Sequence, residues 1–309
     1  MTATSPEPRV VAQARCKLGE GPTWHPDEGV LYWHDIDRGR LLRYDPVTGE
    51  HDVVYELDGG RTLGALTVQA DGSLLLLGGP GAWAAVLRDG ELTPVLDGIP
   101  GETRFNDALA DAAGRVYSGT IPQRWGTTDP DELGSLFRLD PDGSVTKVDT
   151  GFGCANGMAW RDDRTLLFTD TPTQCVFAYD YDPADGALRH RRIHLDTRAA
   201  IPPDAAPGLA PGSAPDGMTL DADGRLWSAR WGGGCVTAFD PDGSLAHFIE
   251  FPATNTTSAA FGGPDLATLY VTSAGGDDSA RHGPGAGGLF ALEIPGVRGR
   301  AQPRSRIGL

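Results

Sequence analysis

Lysine is nearly missing from this chain. Only Lys17 and Lys147 occur in 309 residues, and acidic residues outnumber basic ones 42 to 26. The resulting charge of −16 repels phosphate backbones and anionic lipid alike, so neither nucleic acid nor a membrane surface is an expected partner. No stretch approaches the roughly 20 consecutive apolar residues that a membrane-spanning helix requires. Cysteine is scarce as well. Cys16, Cys154, Cys175 and Cys235 show no C-x-x-C spacing and no dense framework, which points to reduced thiols and a cytoplasmic protein. No serine sits in a G-x-S-x-G elbow, which removes the usual nucleophile of α/β-hydrolases. Residues 1–8 are polar and proline-containing, without the apolar segment of a secretory signal, and a short disordered lead is expected there.

What the chain has in abundance is turn chemistry. Its 43 glycines and 24 prolines are scattered between short apolar runs, the punctuation of an all-β protein. One pattern recurs six times: a short strand, a polar turn with Asp or Gly, then a strongly apolar strand. Copies begin GPTWHPDEGVLYWHDI at Gly21, GALTVQADGSLLLLGG at Gly64, DALADAAGRVYSGT at Asp107, GMAWRDDRTLLFTD at Gly157, GMTLDADGRLWSAR at Gly217 and SAAFGGPDLATLYVTS at Ser258. The apolar strands start at Leu31, Leu74, Val116, Leu166, Leu226 and Leu269, at spacings of 43, 42, 50, 60 and 43 residues. That is the period of a propeller blade. A second hairpin follows several copies, as in SLFRLDPDGSVTKV and CVTAFDPDGSLAHF, so four strands per repeat are expected. The reading is a six-bladed β-propeller forming one domain over residues 9–309. Three irregular insertions, Pro122–Leu133, Asp196–Ala214 and Gly275–Gly288, are expected to rim one face.

Aligning the six copies gives a column at the entry to each first strand: Glu20, Gly64, Asn106, Asn156, Asp216 and Thr257. In a propeller these strands line the axis, so the column predicts a ring around one mouth of the central channel. Four members carry acid or amide oxygens, and polar groups crowded at a narrow channel are costly unless something satisfies them. A single divalent metal ion in the channel does so. Hard oxygen donors suit Ca²⁺ first, with Mg²⁺, Mn²⁺ and Zn²⁺ as alternatives; the lack of His and Cys in the column argues against a structural zinc site. Turn formation alone explains Asn156-Gly157 or Asp216-Gly217 taken singly, but not Glu20 in the same column. The D-x-D-G strings at Asp140, Asp142, Asp221, Asp223, Asp240 and Asp242 lack the downstream glutamate of a calcium loop and read as hairpin turns. His190 and His194, set among arginines, read as outer-strand surface.

At these residues the chain resembles the gluconolactonase, senescence-marker (regucalcin) and luciferin-regenerating-enzyme family. The resemblance is carried by LGEGPTW at 18–24, RFNDALADAAGR at 104–115, CANGMAW at 154–160, APDGMTLDADGRLW at 214–227 and TTSAAFGG at 256–263. It implies metal ligands at Glu20, Asn156 and Asp216, with Asp216 doubling as general base. It also implies that Arg104 and Asn106 hold substrate oxygens. Two departures bear on the substrate: Ala108-Leu109 stands where relatives often carry Gly and a basic residue, and Ile121–Trp125 stands where some relatives place a substrate-touching glutamate. Arg124 and Trp125 are therefore expected at the substrate, with Trp125 covering its apolar face. The implied activity is metal-dependent opening of a sugar lactone by a monomer or weak homodimer. The same ring would also suit a phosphotriester hydrolase, or a non-catalytic calcium-binding or interaction propeller.

Overall fold

A computed structural model describes residues 7–202, 204, 206 and 209–309; the expected lead at 1–8 falls outside this range apart from Glu7 and Pro8. Among the described residues twenty-four strands form six four-stranded antiparallel sheets. Blade one is Gly19–His25, Val30–Asp35, Arg40–Tyr44 and His51–Glu56, counted from the axis outward. The inner strands of blades two to six are Thr62–Val68, Phe105–Ala110, Ala155–Asp162, Ala214–Leu220 and Thr256–Gly262. Each inner strand packs against the next, and the sixth packs against the first. Blade six is completed at its rim by Arg9–Ala12 from the other end of the chain, which closes the circle by hydrogen bonds to Leu289–Glu293. The second strands begin at Val30, Leu74, Val116, Thr165, Leu226 and Thr268, within one residue of the starts read from the repeat.

Why those second strands are apolar on both sides follows from the architecture. Each sheet is sandwiched between two others, so there is no solvent face in its middle. In the run Leu74–Leu77, Leu74 and Leu76 enter the core between blades one and two, while Leu75 and Leu77 enter the core between blades two and three. Six such cores exist, one between each pair of neighbours, and burial of each large apolar side chain contributes about 1.5–3 kcal/mol.

All inner strands run in the same direction, from the ring end of the channel toward its base. The segments between second and third strands, and those between blades, therefore emerge at the ring end. The three insertions belong to these classes, so all leave the fold at the same face; part of the second, at 203, 205, 207 and 208, lies outside the described residues. The second of them opens with a short helix, Thr197–Ala200, capped by the Asp196 carboxylate. At the base, the C-terminal residues run across the channel. Gly299 bridges Asp221, Arg304 forms a bidentate pair with Asp27, Ser305 bridges Gln69, and Ile307 enters the core between blades two and three. No helix among the described residues is long and apolar enough to cross a membrane.

The D-x-D-G strings are turns, as expected, but Asp221 does more. It is 1% exposed and accepts from the Arg225 amide at 2.8 Å and the Trp227 indole at 3.0 Å, stapling the inner hairpin of blade five. Replacing it with Ala leaves two buried donors unpaired. Asp221→Ala is expected to cost about 2–4 kcal/mol of stability, read from the shift of the urea midpoint at constant slope.

Candidate functional site

All six inner strands break register at the column position: between Glu20 and Thr23, Leu63 and Ala65, Phe105 and Ala108, Asn156 and Met158, Pro215 and Met218, and Thr256 and Ala259. A bulge opposes two residues to one and re-aims a side chain. The column thus lies at or within a ring of bulges. Asn156-Gly157 and Asp216-Gly217 are strand residues, not turns. Their glycines are required by close approach: a Cβ on Gly157 would strike Met218, and one on Gly217 would strike Ser258.

The structure brings Glu20, Asn106, Asn156 and Asp216 together, each buried. The Asn106 amide donates to Asn156 Oδ1 at 2.8 Å and to the Ala155 carbonyl at 2.7 Å. Asn156 in turn donates to Thr171 Oγ1 at 2.8 Å, and its amide favours the charged form of the Asp216 carboxyl. Arg104 donates to Asn106 Oδ1 at 2.6 Å and to its neighbour's carbonyl, Phe105 O, at 3.2 Å. The remaining two positions offer the channel little: Gly64 has no side chain, and the Thr257 hydroxyl is bonded to Gly19 O and Thr272.

Arg124 and Trp125 are not drawn into the ring. They lie on the insertion after Thr120, at the ring end but largely exposed, with Arg124 paired to Glu132 of its own loop at 2.9 Å. His190 is on the outer strand of blade four, as expected, bonded to Asp180.

Sequence reasoning missed Asp107. Strict alternation sends it away from the channel, but the bulge at 105–108 lets Asn106 face the ring and Asp107 face a cavity of about 400 Å³ directly beneath. Gly21, Ala65, Met158, Met218 and Ser258 also line that cavity, and the C-terminal residues Arg300–Arg304 close it at the base. Asp107 Oδ2 is buried without a hydrogen-bond partner among the described residues. His34 and Cys154 were missed too. The column contains neither residue type, yet His34 pairs with Glu20 across the blade and the Cys154 thiol lies 3.7 Å from the Asn156 amide.

Electrostatics tie these groups together. Burial raises the Glu20 and Asp216 carboxyls well above their ordinary range, and the charge of Asp107 raises both further, as that of Asp216 does for Glu20. Burial pushes Asp107 up to about 7 against the pull of Arg104. Three carboxylates facing one guanidinium leave a formal deficit of two positive charges, which a divalent cation balances. Among the described residues no group of three or more His, Cys, Asp or Glu side chains is clustered for metal binding. The donor set is instead mixed carboxylate and amide oxygen, with an unpartnered carboxylate oxygen beneath it, and this set fits a hard divalent ion.

A carboxyl whose folded pKa exceeds its unfolded value stabilises the fold at low pH, and that contribution disappears as pH rises toward the folded pKa. Chelator-treated protein is therefore expected to melt higher near about pH 5 than near about pH 8, the loss running upward from about pH 4 through the Asp107 value of about 7. Added divalent cation should raise Tm more at the higher pH, because its ligands must be deprotonated. Thermal melts by circular dichroism check both, and a metal-induced shift that does not grow with pH contradicts the assignment.

Comparison with known proteins places this geometry. Residues 18–275 match the SMP-30/Gluconolactonase/LRE-like region. Pentonolactonase XacC of Haloferax volcanii is 44% identical over 307 residues, covering 97% of this chain and 98% of that one. Regucalcin of Xenopus laevis is 34% identical over 294 residues, covering 92% and 93%. The solved structure of a calcium-binding protein, regucalcin, from Agrobacterium tumefaciens superposes with a TM-score of 0.83 at 29% identity, covering 98% of each chain. The chain belongs to the SMP-30/gluconolactonase/LRE-like family.

Proposed function

We propose that this protein is a hydrolase that opens sugar lactones, using one divalent metal ion held in the ring. The observation that carries the reading is the ring itself: two carboxylates and two carboxamides converge with Arg104 at the channel mouth above the Asp107 carboxyl, and three carboxylates against one guanidinium lack two positive units. The pentonolactonase relationship supports a lactone substrate. Glu20, Asn156 and Asp216 would hold the metal, with Ca²⁺ first and Mg²⁺, Mn²⁺ or Zn²⁺ as alternatives. A divalent cation bound there would polarise the lactone carbonyl and acidify a nearby water.

The chain's own groups do the rest. Asp216, raised by burial, is poised to take a proton from the attacking water while the water oxygen adds to the carbonyl carbon. The same carboxyl returns that proton to the ring oxygen as the ester bond breaks, leaving a hydroxy acid. Among the described residues Arg104 donates only through Nη1, so the rest of its fork is available for substrate oxygens. The Asn106 amide fixes the orientation of Asn156 by donating to its Oδ1. Arg124 and Trp125 sit on a loop that would have to fold inward to cover a sugar.

Asp216→Asn is expected to fold and to bind metal while losing about 10²-fold or more in kcat; near-normal turnover would remove Asp216 as the base. Glu20→Ala and Asn156→Ala should mainly weaken metal affinity, measured by titration calorimetry. The function itself is tested by following lactone opening with a pH indicator on chelator-stripped protein, with and without each metal, after subtraction of spontaneous hydrolysis. Metal-restored turnover on aldonolactones supports the reading. Protein that binds a metal but opens none of them overturns it.

A further inference from the structure

Asn156 is held from both sides by hydrogen bonds that all run in one direction. Arg104 Nη1 donates to Asn106 Oδ1 at 2.6 Å, and the Asn106 amide donates to Asn156 Oδ1 at 2.8 Å. The Asn156 amide donates to Thr171 Oγ1 at 2.8 Å, and the Thr171 hydroxyl donates to the Pro215 carbonyl at 2.8 Å. The chain of bonds starts at a guanidinium beside the entry to blade three and crosses blade four. It ends on blade five, at the residue before Asp216. Bonds aligned head to tail polarise one another, so each strengthens the next.

Thr171 is the link that sets the direction. Its hydroxyl has a single hydrogen, and a carbonyl can only accept, so that hydrogen goes to Pro215. Toward Asn156 the same oxygen can then only accept. It must meet the NH2 end of the carboxamide, which leaves Oδ1 on the side that receives Asn106. Asn106 is the only donor to this Oδ1 among the described residues, so one of its two lone pairs stays open for a cation.

Thr171 is itself firmly placed. It opens the short turn Thr171–Thr173 that follows the second strand of blade four, and it is buried. Its amide donates to the Cys154 carbonyl at 3.2 Å, and the adjoining Asp170 carboxyl accepts from the Cys154 amide at 2.9 Å. These two bonds knit the turn to the entry of the strand that carries Asn156.

We propose that Thr171 is a positioning residue for the metal site: its hydroxyl fixes the orientation of the Asn156 carboxamide and ties it to the backbone that carries Asp216. The proposal rests on the reading of Glu20, Asn156 and Asp216 as metal ligands. Groups that orient metal ligands typically contribute about 10–100-fold to metal affinity. Valine has the shape of threonine without its hydroxyl, so Thr171→Val takes away one of the two anchors of the carboxamide and leaves the Pro215 carbonyl without its donor.

The test is calorimetric titration of Ca²⁺ into chelator-stripped wild type, Thr171→Val and Thr171→Ser, with thermal melts of the metal-free proteins alongside. Thr171→Val should weaken Ca²⁺ binding by about tenfold or more. Thr171→Ser keeps the hydroxyl and should recover most of that loss. A part confined to holding the turn predicts something else, a lower metal-free Tm with Ca²⁺ affinity unchanged, and that outcome overturns the proposal. An equal loss of affinity in the valine and serine variants also overturns it, because the hydroxyl is then not what matters. If the valine variant does not fold, Thr171→Ala set against Thr171→Ser makes the same comparison. Wild type that binds none of Ca²⁺, Mg²⁺, Mn²⁺ and Zn²⁺ overturns the metal reading, and this proposal with it. Wild type that binds a metal no better than the valine variant does overturns the role of Thr171 alone.

Discussion

Six bulges at one level of the channel are the constraint on which the site depends. A regular strand sends successive side chains to opposite faces, and in a propeller those faces belong to neighbouring blades. Without the register breaks, the column residues would point into the interblade cores, where Glu20 and Asp216 have no partners. The breaks turn four oxygen-bearing side chains inward, and small residues after them keep the backbones from colliding. Gly157 against Met218 and Gly217 against Ser258 show how little space is left. The bulges are therefore what convert a packing scaffold into a polar centre.

The same geometry divides the channel into two chemically different halves. Above lies the ring with Arg104; below lies a cavity lined largely by apolar and small residues and closed by the C-terminal crossing. Asp107 stands at the boundary. Its burial beside Glu20 and Asp216 makes three ionised carboxyls mutually unfavourable, so the arrangement is stable either with protons or with a cation. The proposed affinity for hard divalent ions and the raised pKa at Asp216 are two expressions of that one crowding. A proton-accepting carboxylate and a metal site can thus share a residue.

Specificity is arranged differently from this chemistry. The ring is held by core strands. Ile201 and Ala206 of the second insertion and Ala286 of the third pack into an interblade core, whereas the insertion at Pro122–Leu133 leaves the fold at the ring face without entering one. Arg124 and Trp125 are on such a loop and are exposed, with Arg124 satisfied locally by Glu132.

Much of the architecture was legible in the sequence because it follows from a repeat. The spacing of apolar strands from Leu31 to Leu269 determined six blades, and the column placed Glu20, Asn106, Asn156 and Asp216 at one level, since pseudo-symmetry brings equivalent positions together whatever their separation along the chain. Asp107, His34 and Cys154 were not legible by that route. Asp107 violates strand alternation through a bulge that no local motif announces. His34 is one residue in an apolar second strand, and only the absence of a side chain at Gly21 leaves room for its ring. Closure of the base by residues 299–307 was hidden as well, because it depends on contacts with Asp27, Gln69 and Asp221 that are distant in the chain. The sequence by itself determined the periodic core and the symmetric ring. Tertiary structure alone decided which groups stand next to the ring without belonging to its repeat, because that depends on local register and on space left by missing side chains.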